Sequence, residues 1–275
     1  MLEQLMINPF IFRAIIGIVL ASFSASTMGT FIVVRGISFL TAEVAHAALG
    51  GAALGIFLQA VGLLPNVNPF IIATIFAIGV TIITGIASRE GTRKKLETAI
   101  GAAFAISMAM AVTLMGIIPS ERLPEIWGYL IGDLLLLTYD DLLLLATITA
   151  IITVLTTIFL REFLYISFDI EGAEALGLNS KIYNYLMLIL ASLSIVVETK
   201  TVGSIIVYAF MILPAAIASQ AKIDITSIMI YSLLISIFVG LIGLTFSLIL
   251  NLPPSGIIGL IFSGIYISVS ILKKE

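Results

Sequence analysis

The chain contains no cysteine, so disulfides and thiolate metal ligands are both excluded, and cysteine usage says nothing of its redox compartment. Histidine occurs once, as His46. Charge is scarce: 11% of the 275 residues are charged against 60% hydrophobic, with a mean hydropathy of +1.23, which excludes an ordinary soluble domain. No G-x-x-x-x-G-K-[ST] stretch is present, so the chain cannot hydrolyse ATP through a P-loop of its own. No cleavable signal peptide is expected either. The first apolar stretch, Pro9 to Val34, is too long for a signal core and no small-residue cleavage site follows it.

What is present is a succession of apolar runs long enough to cross a bilayer. They predict an all-α integral membrane protein, a single polytopic domain over residues 1–275 with about nine spanning helices. The spans are expected near Pro9–Val34, Ile37–Leu63, Pro69–Ala87, Ile100–Ile118, Leu142–Leu160, Tyr183–Val197, Val202–Ser219, Ser227–Leu250 and Gly256–Leu272. Trp127–Tyr139 is apolar but too short to cross, and reads as an interfacial or re-entrant element.

Lys and Arg set the orientation. Assigning alternate loops to one side gathers Arg35, Arg89, Arg93, Lys94, Lys95, Arg161, Lys181, Lys222, Lys273 and Lys274, leaving Arg13, Arg122 and Lys200 for the other. The positive-inside rule makes the first side cytoplasmic, with the C-terminus inside and the N-terminus outside, in a cell membrane. The outer side then collects Glu3, Glu121, Glu125, Asp133, Asp140, Asp141 and Glu198. This acidic excess either raises the local concentration of cations or is a solvated loop surface.

Within TAEVAHAALGGAALG, Glu43 stands three residues before His46. With Arg35 at the cytoplasmic start of the second span, a rise of about 1.5 Å per residue places His46 roughly 16 Å farther in, near the bilayer midplane. Ionisable groups there are costly and mark a path or a bundle interior. The i, i+3 spacing puts carboxylate and imidazole on one face, able to serve a divalent cation in transit; the alternative is an interhelical pair that supplies packing alone. Nearly every other residue from Ala42 to Gly55 is Ala or Gly, so neighbouring backbones can approach this helix closely.

Two further features stand out. Residues 168–178 contain a short capped helix: Asp169 at the N-cap, Glu171 and Glu174 in its first turns, Gly177 at its end, and Ile170, Ala173 and Leu176 as a small apolar stripe. Such a helix either docks into a partner's groove or lies on its own protein. Pro214, in MILPAAIAS, predicts a kink or local unwinding in the cytoplasmic half of the seventh span.

The order RGISFLTAEVAHAALGG, YLIGDLLLLTYDDLLLL, FDIEGAEALGL, TVGSIIVYAFMILPAAIAS and LPPSGIIGLIFSG, over almost the whole chain, resembles the permease subunits of ABC importers for zinc, manganese and iron. The resemblance implies a type II importer bundle, a homodimer in the lipid bilayer, cytoplasmic ABC ATPase subunits, and an extracytoplasmic metal-binding protein. It also implies a divalent metal ion as transported substrate, no stably bound cofactor and no nucleic-acid partner. By the same resemblance Ile170–Leu176 is the coupling helix on the ATPase and His46 lies in the translocation path. The chain departs from the family where members often carry an acid at the place of Ala42, where many have Pro at Gly50, and at Asp133, which is given no family role. A gradient-coupled metal transporter is the second reading, although only Glu43 and His46 clearly supply the intramembrane ionisable groups it would use. A third reading is a membrane scaffold in which both residues merely pack.

Overall fold

The structure, a computed structural model, describes residues 8–87, 93–132, 134–221 and 224–272. Among the described residues every regular element is helical. The first span comprises α1 (Pro9–Ser24), a π turn (Ala25–Gly29) and α2 (Thr30–Val34). It is followed by α3 (Phe39–Ala60), α4 (Pro69–Ala87), α5 (Arg93–Met115), a 3-10 turn (Ser120–Arg122) and α6 (Leu123–Ile131). The remaining helices are α7 (Tyr139–Ile158), α8 (Leu160–Phe168), α9 (Ile170–Ala175), α10 (Ser180–Val202), α11 (Val207–Ser219), α12 (Ile225–Leu250) and α13 (Pro254–Leu272). Among the described residues eight spans are long and apolar enough to cross a membrane, and α11 is a shorter apolar helix of 13 residues. Expected residues Glu3, Arg89, Asp133, Lys222, Lys273 and Lys274 lie outside the described residues, as do the side chains of Arg93 and Lys94.

Helix starts follow local chemistry. Asn8, Thr138, Asn179 and Asp224 cap α1, α7, α10 and α12, their side chains accepting backbone N–H bonds from the first turn. At α7, Thr138 and Asp141 form a reciprocal capping box.

Helix α3 lies inside the bundle, packed against α4, α5, α6, α10 and α11. Small residues make this possible. A Cβ on Gly51 would come within 2.8 Å of the Ala73 Cα of α4, so the two backbones meet there with no side chain between them. Outer helices differ: 78% of the α3 span is buried, against 17% of the span in α5.

Three sequence expectations are corrected. The sixth span does not end at Val197; α10 continues through Glu198, Thr199 and Lys200 to Val202, because its charged end is absorbed by contacts inside the protein. The expected span from Val202 to Ser219 is interrupted at its start, where Gly203 takes φ +88° and α11 begins only at Val207. Finally, the helix is continuous through the buried Pro214, so the local unwinding that was one of the two expected outcomes there is not found; the interruption lies at Gly203–Ile206, before α11 begins. A proline removes one backbone donor, and packing on all sides holds the remaining turns.

The break after α10 is a joint. Helix α6 ends at Gly132 with φ +97°, and a Cβ on Gly203 would lie 2.3 Å from the Ile131 carbonyl carbon. Ser204 and Ile205 donate their N–H groups to the carbonyls of Tyr129 and Leu130 at 2.9 and 3.3 Å, and Ser255 Oγ donates to the Ile131 carbonyl at 2.7 Å. The Trp127–Tyr139 segment thus begins as the end of α6, pinned to the break between α10 and α11.

Candidate functional site

Glu43 and His46 both project from α3, about 60° apart round the helix, but they meet different neighbours. Glu43 is fully buried on the α4 side and accepts a hydrogen bond from Thr84 Oγ1; its other carboxylate oxygen is buried without a partner. His46 is half-buried on the α5 side, its ring 4.6 Å from that of Phe104. His46 Nδ1 lies 2.8 Å from the Ala42 carbonyl, an acceptor only, so Nδ1 carries a proton and, in the neutral imidazole, Nε2 keeps its lone pair. A histidine tied through one nitrogen to a backbone carbonyl, with the other free, is the form that ligates a divalent cation.

No hydrogen bond joins Glu43 to His46 among the described residues, and no group of three or more His, Asp or Glu side chains is arranged there to hold a metal. The arrangement can offer one imidazole nitrogen and one carboxylate oxygen to a passing ion. It lacks the ligand count of a closed resident site.

A second buried carboxylate escaped the sequence reading. Glu198, expected among outer acidic residues, is fully buried in α10. It accepts from Ser24 Oγ at 2.9 Å, and its other oxygen has no partner. Ser24 is the last residue of α1 before the π turn, and π turns cluster at functional sites. The turn is held by close approach: a Cβ on Gly29 would lie 2.2 Å from the Met211 carbonyl oxygen of α11. The ETK triplet hid the helix, because Lys200 and Glu198 together resemble a loop. In fact Lys200 Nζ reaches Asp141 at 3.7 Å and the face of Tyr129 at 5.1 Å, which neutralises the end of α10 within the protein. The signal available in sequence was the i, i+4 pairing of Ser194 with Glu198, both fully buried on one face.

At the α8–α10 end, the residues of the short capped helix take up their expected local geometry in part. Asp169 accepts from the Gly172 N–H at 2.8 Å, Gly177 takes φ +80°, and Glu174 hydrogen-bonds to Ser180. The expected apolar stripe is split. Ala173 is fully buried against its own protein, whereas Ile170 and Leu176 are 51% and 66% exposed, and Glu171 is exposed as well. A helix this short turns through too few residues to hold one face, and its smallest apolar member is the one that can sit against α8 and α10.

The model of the family described as the ABC 3 transport family matches residues 7–273. The manganese transport system membrane protein MntC of Listeria monocytogenes is 31% identical over 265 residues, covering 96% of this chain and 91% of that protein. The high-affinity zinc uptake system membrane protein ZnuB of Haemophilus influenzae is 28% identical over 270 residues, covering 96% and 98%. Among solved structures, PsaBC from Streptococcus pneumoniae in complex with Fab matches with a TM-score of 0.84 and 26% identity, covering 98% of this chain and 93% of that one.

Proposed function

This chain belongs to the ABC 3 transport family, and we propose that it is the membrane permease subunit of an ATP-driven importer of a divalent transition-metal ion: zinc, manganese or iron. It is a multi-pass membrane protein and a transport subunit with no enzymatic activity of its own. In this reading two copies form the translocation path, cytoplasmic ABC ATPase subunits supply energy, and an extracytoplasmic metal-binding protein delivers the ion. The C-terminus faces the cytoplasm and the N-terminus the outside, as the Lys and Arg distribution suggests.

The observation that carries the reading is α3 itself. It is an interior helix built largely of Ala and Gly that holds a buried Glu43 with an unpartnered oxygen and a His46 whose Nε2 is available. The ion moves along α3, exchanging water for the imidazole nitrogen and then for the carboxylate, and a site of so few protein ligands releases it readily. Selectivity rests with the delivering protein, since the permease site needs only to admit a borderline-soft divalent cation. Transmission uses α9. Ala173 anchors it to the permease while Ile170, Leu176 and Glu171 face outward toward a groove on the ATPase.

The test is reconstitution of the permease in liposomes with its ATPase and binding protein, measuring manganese and zinc uptake. Uptake that requires ATP inside the reconstituted system supports the reading. Uptake driven by a proton or sodium gradient without ATP supports a secondary transporter instead, and absence of uptake under both supports a scaffold.

A further inference from the structure

The turn between α2 and α3 places Arg35 in a setting that transport along α3 does not use. Its guanidinium is half-buried, with Nη2 donating to Asn184 Oδ1 at 2.9 Å and Nη1 lying 3.5 Å from Met187 Sδ. Both partners are neutral, and no carboxylate pairs with Arg35 among the described residues. Burial lowers its pKa from the ordinary arginine value, so the surrounding protein disfavours the charge it must carry. Arginine nevertheless stays protonated in proteins, and a buried cation of this kind calls for an anion.

Beside it lies a cavity of about 80 Å³ lined by Arg35, Leu40, Thr81, Thr84, Ile100 and Asn184, among others. The hydroxyl protons in its wall are already committed: Thr81 donates to the Ala77 carbonyl at 2.9 Å and Thr84 donates to Glu43. The guanidinium and the Asn184 amide are the side-chain N–H groups left to give, and among the described residues no carboxylate lines the space. The cavity lies between α3, α4, α5 and α10, and the outer faces of α4 and α5 are apolar and exposed, with Ile83 of α4 and Ile106 of α5 each 67% exposed, as a lipid-facing surface would be. Arg35 follows immediately on the end of the first span, Val34, which sets it at headgroup depth.

We propose that this cavity binds the phosphodiester of an anionic phospholipid, held by Arg35, in the leaflet that the α2–α3 turn faces. One cationic side chain and one neutral amide suit a singly charged phosphodiester, whereas the dianionic form of inorganic phosphate would be left with half of its charge unmatched. The absence of a lining carboxylate favours a headgroup without an amine, such as phosphatidylglycerol, over phosphatidylcholine. Bound lipid fills the space between α3 and the lipid-facing helices α4 and α5 and neutralises Arg35 without a protein acid.

The experiment uses the purified full chain, reconstituted in bilayer discs with equal phosphatidylglycerol and phosphatidylcholine, and native mass spectrometry of the lipid retained after transfer to detergent. The wild type is expected to retain phosphatidylglycerol about fivefold over phosphatidylcholine, as one basic side chain near a membrane surface provides. Arg35→Gln should remove the preference, and Lys95→Gln, an exposed basic residue on α5, should keep it. Asn184→Asp places a carboxylate beside the guanidinium and should also remove the preference, in a variant that leaves Arg35 paired. Equal retention of both lipids by the wild type, or an undiminished preference in either Arg35→Gln or Asn184→Asp, overturns the proposal. Inorganic phosphate that raises the thermal midpoint as much as phosphatidylglycerol does, and competes the lipid off, overturns the lipid assignment in favour of the free anion.

Discussion

Two buried carboxylates sit in opposite surroundings within one bundle. Glu43 lies on a helix of small residues with a histidine one turn away, and its hydroxyl partner, Thr84, also lines the Arg35 cavity. Glu198 lies near the end of α10, held by Ser24 beside a π turn and flanked by the interlocked ends of α6 and α10. Each accepts a hydroxyl hydrogen bond and each keeps one oxygen unpartnered. Burial and hydrogen bonding are therefore nearly the same for both. What differs is the company: an imidazole nitrogen and a helix of small residues for Glu43, a π turn at its hydroxyl partner and the interlocked ends of α6 and α10 nearby for Glu198. The proposed function gives passage of the ion to the first region and fixation of the fold to the second.

The strongest way to break this division is to remove the imidazole. His46→Ala should lower metal uptake by about 100-fold, the upper range for losing a group that sets metal affinity, while insertion and assembly persist because the Ala and Gly packing face is kept. Loss of assembly would return His46 to a packing role. Next comes the carboxylate comparison itself: Glu43→Gln should reduce uptake by about tenfold, and Glu198→Gln by less than about threefold, each measured as initial manganese uptake. Equal losses would erase the distinction between the regions.

Stability should show the reverse order. Gly203→Ala forces a side chain into φ +88° and onto the Ile131 carbonyl carbon, so it should cost about 1–3 kcal/mol and visibly lower the thermal midpoint in detergent. Ser24→Ala removes the one hydrogen bond given to Glu198 and should cost about 0.6 kcal/mol, near the average for such bonds between membrane helices. A Gly203→Ala protein as stable as the wild type would show that the joint is not rigid.

The spans were legible because a bilayer demands apolar length, and that demand is written residue by residue. His46 was legible for a related reason: an imidazole far from either end of an apolar span has no bland place to go except a helix contact. Glu198 was hidden because its hydrogen-bond partner, Ser24, is far away in sequence, as are Asp141 and Tyr129, which take up the Lys200 charge beside it. The π turn was hidden for the same reason, since it is fixed by the backbone of α11 against Gly29. At α9 the caps were local and could be read from Asp169 and Gly177; the direction in which Ala173 points depends on α8 and α10 and could not. At Pro214 the local signal allowed unwinding, and the helix is continuous there.

Because His46 is the only histidine of the chain, the central claim has a direct spectroscopic test. Permease labelled with ¹⁵N-histidine, assembled with unlabelled ATPase and binding protein, would be trapped with Mn²⁺ during turnover and examined for hyperfine coupling between manganese and nitrogen. The account predicts a ¹⁵N coupling characteristic of a bound imidazole, lost in His46→Ala. Trapped, transport-competent manganese that shows no ¹⁵N coupling would contradict passage of the ion through His46.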